Sequence, residues 1–82
     1  MITVVVKLFA MAREIAGRDE VLLRLEDASS TPAVVQALLE QYPRLKEISA
    51  HSRLAVNCEY TGGDRVLNDG DEVAIIPPVS GG

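Results

Sequence analysis

The sequence has one cysteine, one histidine and no tryptophan among its 82 residues. A single cysteine, Cys58, leaves no partner for an internal disulfide and fits a reducing compartment. One cysteine with one histidine, His51, also argues against a structural zinc site. Basic residues are few: 8 Lys and Arg stand against 12 Asp and Glu, a formal net charge of −4. That balance disfavours nucleic acid, whose binders carry basic patches. It favours a protein partner with a basic surface, although a net charge of this size is also an ordinary solubility device. Long apolar runs are missing. The stretch from Met1 to Val6 is interrupted by Thr3 and is too short to span a bilayer. No basic region precedes an apolar stretch and a small-residue cleavage site, as secretion would need. These absences predict a cytoplasmic protein with no membrane span. No phosphate-binding loop is present either, so any ATP must bind on another protein.

What is there suits one small globular domain. Hydrophobic residues make up 48% of the chain, too many for a disordered segment. A domain of this size buries only about 60% of the surface its unfolded chain exposes, so its stability margin is thin. Residues Ile2 to Phe9 alternate as a strand, with Ile2, Val4, Val6 and Leu8 on one face and Thr3, Val5, Lys7 and Phe9 on the other. Both faces carry apolar groups, which predicts a central strand. Ala10 to Ala16 is rich in helix formers, and Gly17 stands where a C-cap belongs. Glu20 to Glu26 forms a second strand, antiparallel to the first if the short helix simply bridges them.

Ser29, Ser30 and Thr31 offer N-cap oxygens ahead of Pro32, which fits the first helical position. That helix runs to about Gln41 with Val35, Leu38, Leu39 and Tyr42 on one stripe, and Pro43 ends it. Leu45 to Ser49 is expected to be a loose turn. Arg53 to Asn57 is a third strand, followed by a loop containing Gly62-Gly63. Arg65 to Leu67 is a brief extended piece, Asn68-Asp69-Gly70-Asp71 a turn, and Glu72 to Ile76 the last strand. One helix packed across a mixed sheet of four to five strands is the simplest two-layer solution. A hairpin, a crossing helix and a returning strand predict an α+β fold of the β-grasp, ubiquitin-like kind. The last strand then lies beside the first. Residues 1–76 form the domain and 77–82 a flexible tail.

The tail, Pro77-Pro78-Val79-Ser80-Gly81-Gly82, carries the most specific chemistry. Two prolines lack ladder donors and bias the exit toward an extended path. The four residues beyond them reach roughly 13 Å at ~3.3 Å each. Gly81 and Gly82 remove side-chain bulk, so an extended end can pass through a narrow channel into a buried site. A carboxylate is a poor acyl donor; an acyl-adenylate made with ATP is a good one, and nothing hinders attack at Gly82. The tail is then a substrate, with the catalytic groups on an activating enzyme. The alternative is a frayed, inert terminus.

Three stretches together resemble the small subunit of molybdopterin synthase, the MoaD family. They are Leu8-Phe-Ala-Met-Ala-Arg-Glu-Ile-Ala-Gly, Ala55-Val-Asn, and Asn68-Asp-Gly-Asp-Glu leading into Val73-Ala-Ile-Ile-Pro-Pro-Val-Ser-Gly-Gly. The resemblance covers essentially the whole chain in order. It implies a sulfur carrier that is not an enzyme on its own and binds no cofactor. Gly82 would be adenylated by a MoeB-type activating enzyme and converted to a thiocarboxylate. The tail would enter a large subunit of the MoaE type and give sulfur to cyclic pyranopterin monophosphate, with two carriers on a large-subunit dimer forming a heterotetramer. The resemblance also marks Phe9, Tyr60 and Ile76 as partner contacts beside Pro77, Pro78, Val79 and Ser80. Core packing is the other reading of all three, and for Phe9 the two are balanced; Tyr60, after a turn, leans to the surface.

Other features have plainer readings. Cys58 reads as a small packing or loop residue ahead of an acceptor or resolving thiol, and His51 as solvent-facing or a minor surface contact ahead of a catalytic group. Asp69, Asp71 and Glu72 follow turn chemistry and lack the spacing of a calcium loop, so no metal site is expected. Arg13 and Glu14 fit structural or interface ion pairs. Three further functions remain open beside the molybdopterin carrier: a thiamin-type sulfur carrier, a protein modifier joined to lysines, and an interaction module with an inert tail. The Phe-Ala-x-x-Arg-Glu stretch separates the first from the thiamin type.

Overall fold

Residues 1–61 and 64–78 are described by the computed structural model. Strand β1 (Ile2–Leu8) buries Ile2, Val4, Val6 and Leu8 and leaves Thr3, Val5 and Lys7 partly covered. That is the two-residue period a pleated strand imposes. Helix α1 (Ala10–Ala16) stops at Gly17, whose φ of 75° is the left-handed C-cap conformation; its N–H donates to the Arg13 carbonyl at 2.8 Å. Strand β2 (Glu20–Leu25) returns antiparallel, with Ile2 opposite Leu25 and Lys7 opposite Glu20.

Helix α2 (Thr31–Gln41) has the expected length and Pro32 in its first turn, but two local expectations fail. Ser30 is the N-cap residue, yet its side chain makes no cap hydrogen bond. The Ser29 hydroxyl instead donates to the Glu26 carbonyl at 2.7 Å, and the Thr31 hydroxyl accepts from the Arg65 N–H at 3.4 Å. The fully buried stripe is Thr31, Val34 and Leu38; of the expected Val35, Leu38, Leu39 and Tyr42, Leu38 is fully buried, Leu39 and Tyr42 are partly buried against the core, and Val35 alone falls outside it. Val34 and Val35 are equally apolar, so periodicity leaves two adjacent stripes open.

Past α2 the chain makes a 3-10 turn, Pro43–Leu45, and helix α3 (Lys46–Ala50) replaces the loose turn expected over Leu45 to Ser49. Leu45 is buried and holds this corner to the core. Strand β3 (Arg53–Val56) then turns directly into strand β4 (Glu59–Tyr60), a strand missing from the sequence reading. The hairpin loop is the pair Asn57-Cys58, both with positive φ, 50° and 71°. Positive φ at both central residues is the type I′ arrangement that matches strand twist. The extended piece expected at Arg65 to Leu67 stays outside the sheet. Val66 bridges to Ser30, and the Leu67 N–H donates to the Ser29 carbonyl at 2.8 Å. The expected glycine loop, Gly62-Gly63, lies outside the described residues.

Strand β5 (Glu72–Ile76) completes a five-stranded sheet in the order β2-β1-β5-β3-β4. β5 is parallel to β1 and antiparallel to β3, so the sheet is mixed and the last strand lies beside the first. One core joins Ile2, Val4, Val6 and Leu8 of β1 to Ala12, Val34, Leu38 and Leu45 from the helical side, and to Val73 and Ile75 of β5. The helices therefore share one face of the sheet. This is the expected α+β, β-grasp arrangement, with three short helices and a 3-10 turn in place of one main helix and a bridge.

The hairpin loop yields a stability prediction. A side chain at φ near 70° costs energy that glycine does not incur. Cys58→Gly is expected to raise unfolding free energy by about 0.5–1 kcal/mol. Urea denaturation checks this; an unchanged or lower midpoint contradicts the turn assignment.

Candidate functional site

Residues opposite each other in a ladder project from the same side of the sheet. On β5, Ala74 stands opposite Lys7 of β1 and Ala55 of β3, and Ala55 stands opposite Tyr60 of β4. Two residues further on, Ile76 stands opposite Arg53. Phe9 directly follows the Leu8–Ile75 pair and keeps an extended backbone (φ −126°, ψ 157°), so alternation sets it on the side of Lys7. Phe9, Tyr60 and Ile76 thus share the sheet face that the helices leave open. Phe9 is 49% and Tyr60 60% exposed, while Ile76 is half-buried. For Phe9, exposure decides against core packing. Val5 and the 66% exposed Leu22 extend the apolar surface toward β2.

Arg53 is the contributor that sequence reasoning passed over. Its guanidinium carbon lies 4.3 Å from the Tyr60 ring centroid, a cation–π contact that holds an exposed ring in place. The hairpin creates this pairing, and the sequence signal for it was Asn57, a residue favoured where φ is positive.

An acidic turn frames the site. The Asp71 carboxylate accepts from the Asn68 N–H at 2.8 Å and from the Asn57 side-chain amide at 3.0 Å. The Asn57 amide oxygen accepts from the Glu72 N–H at 3.0 Å. Asp69 accepts from the Thr3 N–H at 2.7 Å. These acids therefore tie β1, the β3–β4 hairpin and the start of β5 together. Among the described residues, no group of three or more His, Cys, Asp or Glu is placed to hold a metal ion.

At the exit from β5 the two prolines differ: Pro77 is buried and Pro78 exposed. Pro78 borders a groove of about 330 Å³ that Met11, Ile15 and Ile48 line with apolar atoms, and His51 lies exposed at its margin. The remaining tail residues of the expected site, Val79, Ser80, Gly81 and Gly82, lie outside the described residues. Cys58 is exposed in the hairpin loop. Among the described residues no helix is long and apolar enough to cross a membrane.

A family model described as the ThiS family matches residues 6–82, nearly the entire chain. The chain belongs to the ThiS family. Its relatives include the molybdopterin synthase sulfur carrier subunit of Arabidopsis thaliana, 40% identical over 77 residues, covering 94% of this chain and 80% of that protein. The solution structure of small archaeal modifier protein 1 from Methanosarcina acetivorans superimposes with a TM-score of 0.86 at 33% identity, covering all of this chain and 98% of that one. A complex of subunits 1 and 2 of the molybdopterin-converting factor from Helicobacter pylori holds a similar chain, with a TM-score of 0.71 and 26% identity over 99% of this chain and 100% of that one. These ThiS-family likenesses extend over both the sheet and the tail sequence.

The Asp71 network predicts a pH effect. The Asn68 N–H, then the Asn57 amide, hold the Asp71 carboxyl below the ordinary carboxylate range. A lowered folded pKa means stability present above about pH 4 and lost as the pH falls below it. Asp71→Asn should cost about 1 kcal/mol at neutral pH. The gap from the parent should narrow on acidification; thermal melts at neutral and acid pH that keep a constant gap would contradict this.

Proposed function

We propose that this chain is a sulfur carrier for molybdopterin synthesis, with Gly82 as the acyl group that carries the sulfur. The observation that supports this most is the 40% identity to a molybdopterin synthase sulfur carrier subunit across 94% of the chain. The carrier's own residues supply no catalysis. An activating enzyme of the adenylating type joins the Gly82 carboxylate to the AMP portion of ATP and releases pyrophosphate. A sulfur donor then displaces AMP and leaves a thiocarboxylate. Gly81 and Gly82 give that group passage into a partner's active site.

The partner is the large subunit of molybdopterin synthase, which receives sulfur for cyclic pyranopterin monophosphate. The Helicobacter pylori pair of subunits supports such a complex. Phe9, Tyr60 and Ile76 form the docking surface, since exposed aromatics on an apolar face are what interfaces use. Pro77 and Pro78 lead the chain out at the end of β5, beside Phe9, toward the partner, with Val79 and Ser80 as spacer. Two carriers on a large-subunit dimer make a heterotetramer in the cytoplasm. A second reading, a protein modifier joined to lysines, draws support from the similarity to small archaeal modifier protein 1.

Mass spectrometry after incubation with an activating enzyme, ATP and a sulfur source separates the two. Replacement of one terminal oxygen by sulfur is expected; lysine conjugates would favour the modifier. Deleting Gly82 should abolish the sulfur adduct without unfolding the domain. Phe9→Ala and Tyr60→Ala should each weaken large-subunit binding while changing stability by less than about 1 kcal/mol. A truncated chain that still acquires sulfur would refute the assignment of Gly82.

A further inference from the structure

Strand β2 is an edge of the sheet, and its outward backbone groups can be identified. The Val5 N–H donates to the Asp71 carbonyl at 3.0 Å, and the Thr3 carbonyl accepts from the Gly70 N–H at 2.8 Å. Odd-numbered residues of β1 therefore point their peptide groups toward β5. The Leu8 N–H donates to the Asp19 carbonyl at 2.9 Å, so the even-numbered residues point toward β2. Those residues face Val21, Leu23 and Leu25. Because antiparallel ladders alternate, Glu20, Leu22 and Arg24 aim their N–H and C=O groups off the sheet edge. All three side chains are exposed on the helix-free face, Leu22 at 66%.

We propose that this edge pairs with a second copy of the same chain, antiparallel through β2, with the two-fold axis at Leu22. In that register Leu22 meets Leu22 of the second copy. Glu20 lies opposite Arg24, and Arg24 opposite Glu20. Just beyond the strand ends, Arg18 approaches Glu26. Every outward N–H on one copy faces an outward carbonyl on the other. Opposite charges directly across a ladder are favourable and like charges unfavourable.

The charge order selects this register. Outward groups meet outward groups only if one copy slides by two residues at a time. One such slide sets Arg18 opposite Arg24; the reverse slide sets Glu20 opposite Glu26. Charged side chains ordinarily blunt an edge by repelling a second copy. Here their order is its own complement. Glu20 already pairs with Lys7 on β1, so the acid would stand between two cations across the seam.

The axis runs perpendicular to the sheet, so both open faces point the same way. The two β5 strands lie five strand spacings apart, ~24 Å at ~4.8 Å each. Phe9, Tyr60 and Ile76 stay uncovered because they sit just after β1, on β4 and on β5, away from the β2 edge. The contact is one strand wide, smaller than a standard interface, so the dimer is weak.

Sedimentation equilibrium of the full chain from about 10 µM to about 1 mM should show reversible dimers at the upper end. Arg24→Glu or Glu20→Arg alone should weaken association about tenfold, and a one-to-one mixture of the two variants should restore it. For the register, Leu22→Cys in a Cys58→Ser background should oxidise to a covalent dimer. Paired Cα atoms there lie ~5.5 Å apart, within disulfide reach. Glu20→Cys and Arg24→Cys should cross-link far more slowly. A chain that stays monomeric throughout, a mixture that fails to associate, or equal cross-linking at all three positions would overturn the proposal. Far-UV circular dichroism confirms that each variant is folded.

Discussion

The parallel pairing of β1 with β5 is the contact on which everything else depends. It joins residues from opposite ends of the sequence, Val5 with Glu72 through Leu8 with Ile75. Closing so long a loop costs chain entropy, and the ladder alone has few bonds with which to offset it. The acidic turn adds to it. Asp69 takes the Thr3 N–H, Gly70 donates to the Thr3 carbonyl, and Asp71 offers its carbonyl to Val5. A turn that looks in sequence like a cluster of metal ligands is a clamp on the first strand. Since the strands are parallel, β1 and β5 finish at the same end of the sheet, and Phe9 and Pro77 emerge there together.

The sheet then separates a core face from an open face by parity. On β1 the even-numbered residues join the core with the helices, and on β5 the odd-numbered ones do. The other side has no described helix over it. It carries Val5, Leu22, Ile76, Phe9 and Tyr60 among charged neighbours, with Arg53 laid over Tyr60. Burial of a core by so small a chain leaves little stability to spare. Under the proposed docking role, recognition on the uncovered face avoids drawing on that core, because changes there touch few buried contacts.

Much of this was legible in the residues, and the failures have local causes. Elements with a full period declared themselves: β1 through its alternation, α1 through Gly17, β5 through the punctuation on both sides. Strand β4 was not legible because two residues carry no period. Its hairpin was signalled only by Asn57, with Cys58 in a position where glycine is usual. The stripe of α2 was read in part: Leu38, Leu39 and Tyr42 do reach the core, but the doublet Val34-Val35 satisfies two stripes at once and the wrong valine was chosen. Thr31, on the buried side, accepts from the Arg65 N–H thirty-four positions away, a contact that periodicity cannot show. The open face was half legible. Its members could be named by resemblance, but only the register of four strands shows that they share a side.

The two prolines at the end of β5 act differently, and the difference bears on how a tail is presented. Ile76 is the last residue with a registered partner, Arg53. Neither Pro77 nor Pro78 has an N–H to donate, so no neighbouring strand can extend the ladder past that point with a full set of bonds. Pro77 is buried and so fixes where the chain leaves the domain. Pro78 is exposed, and with its φ set by the ring it has little backbone entropy left to lose. A flexible polar segment in the same place could add itself to the sheet or wander over the open face. The proline pair prevents the first by removing donors and restrains the second by stiffness. Under the proposed carrier role, in which the terminal group enters another protein, that restraint lowers the ordering cost of docking, since part of the loss is already taken in the free state.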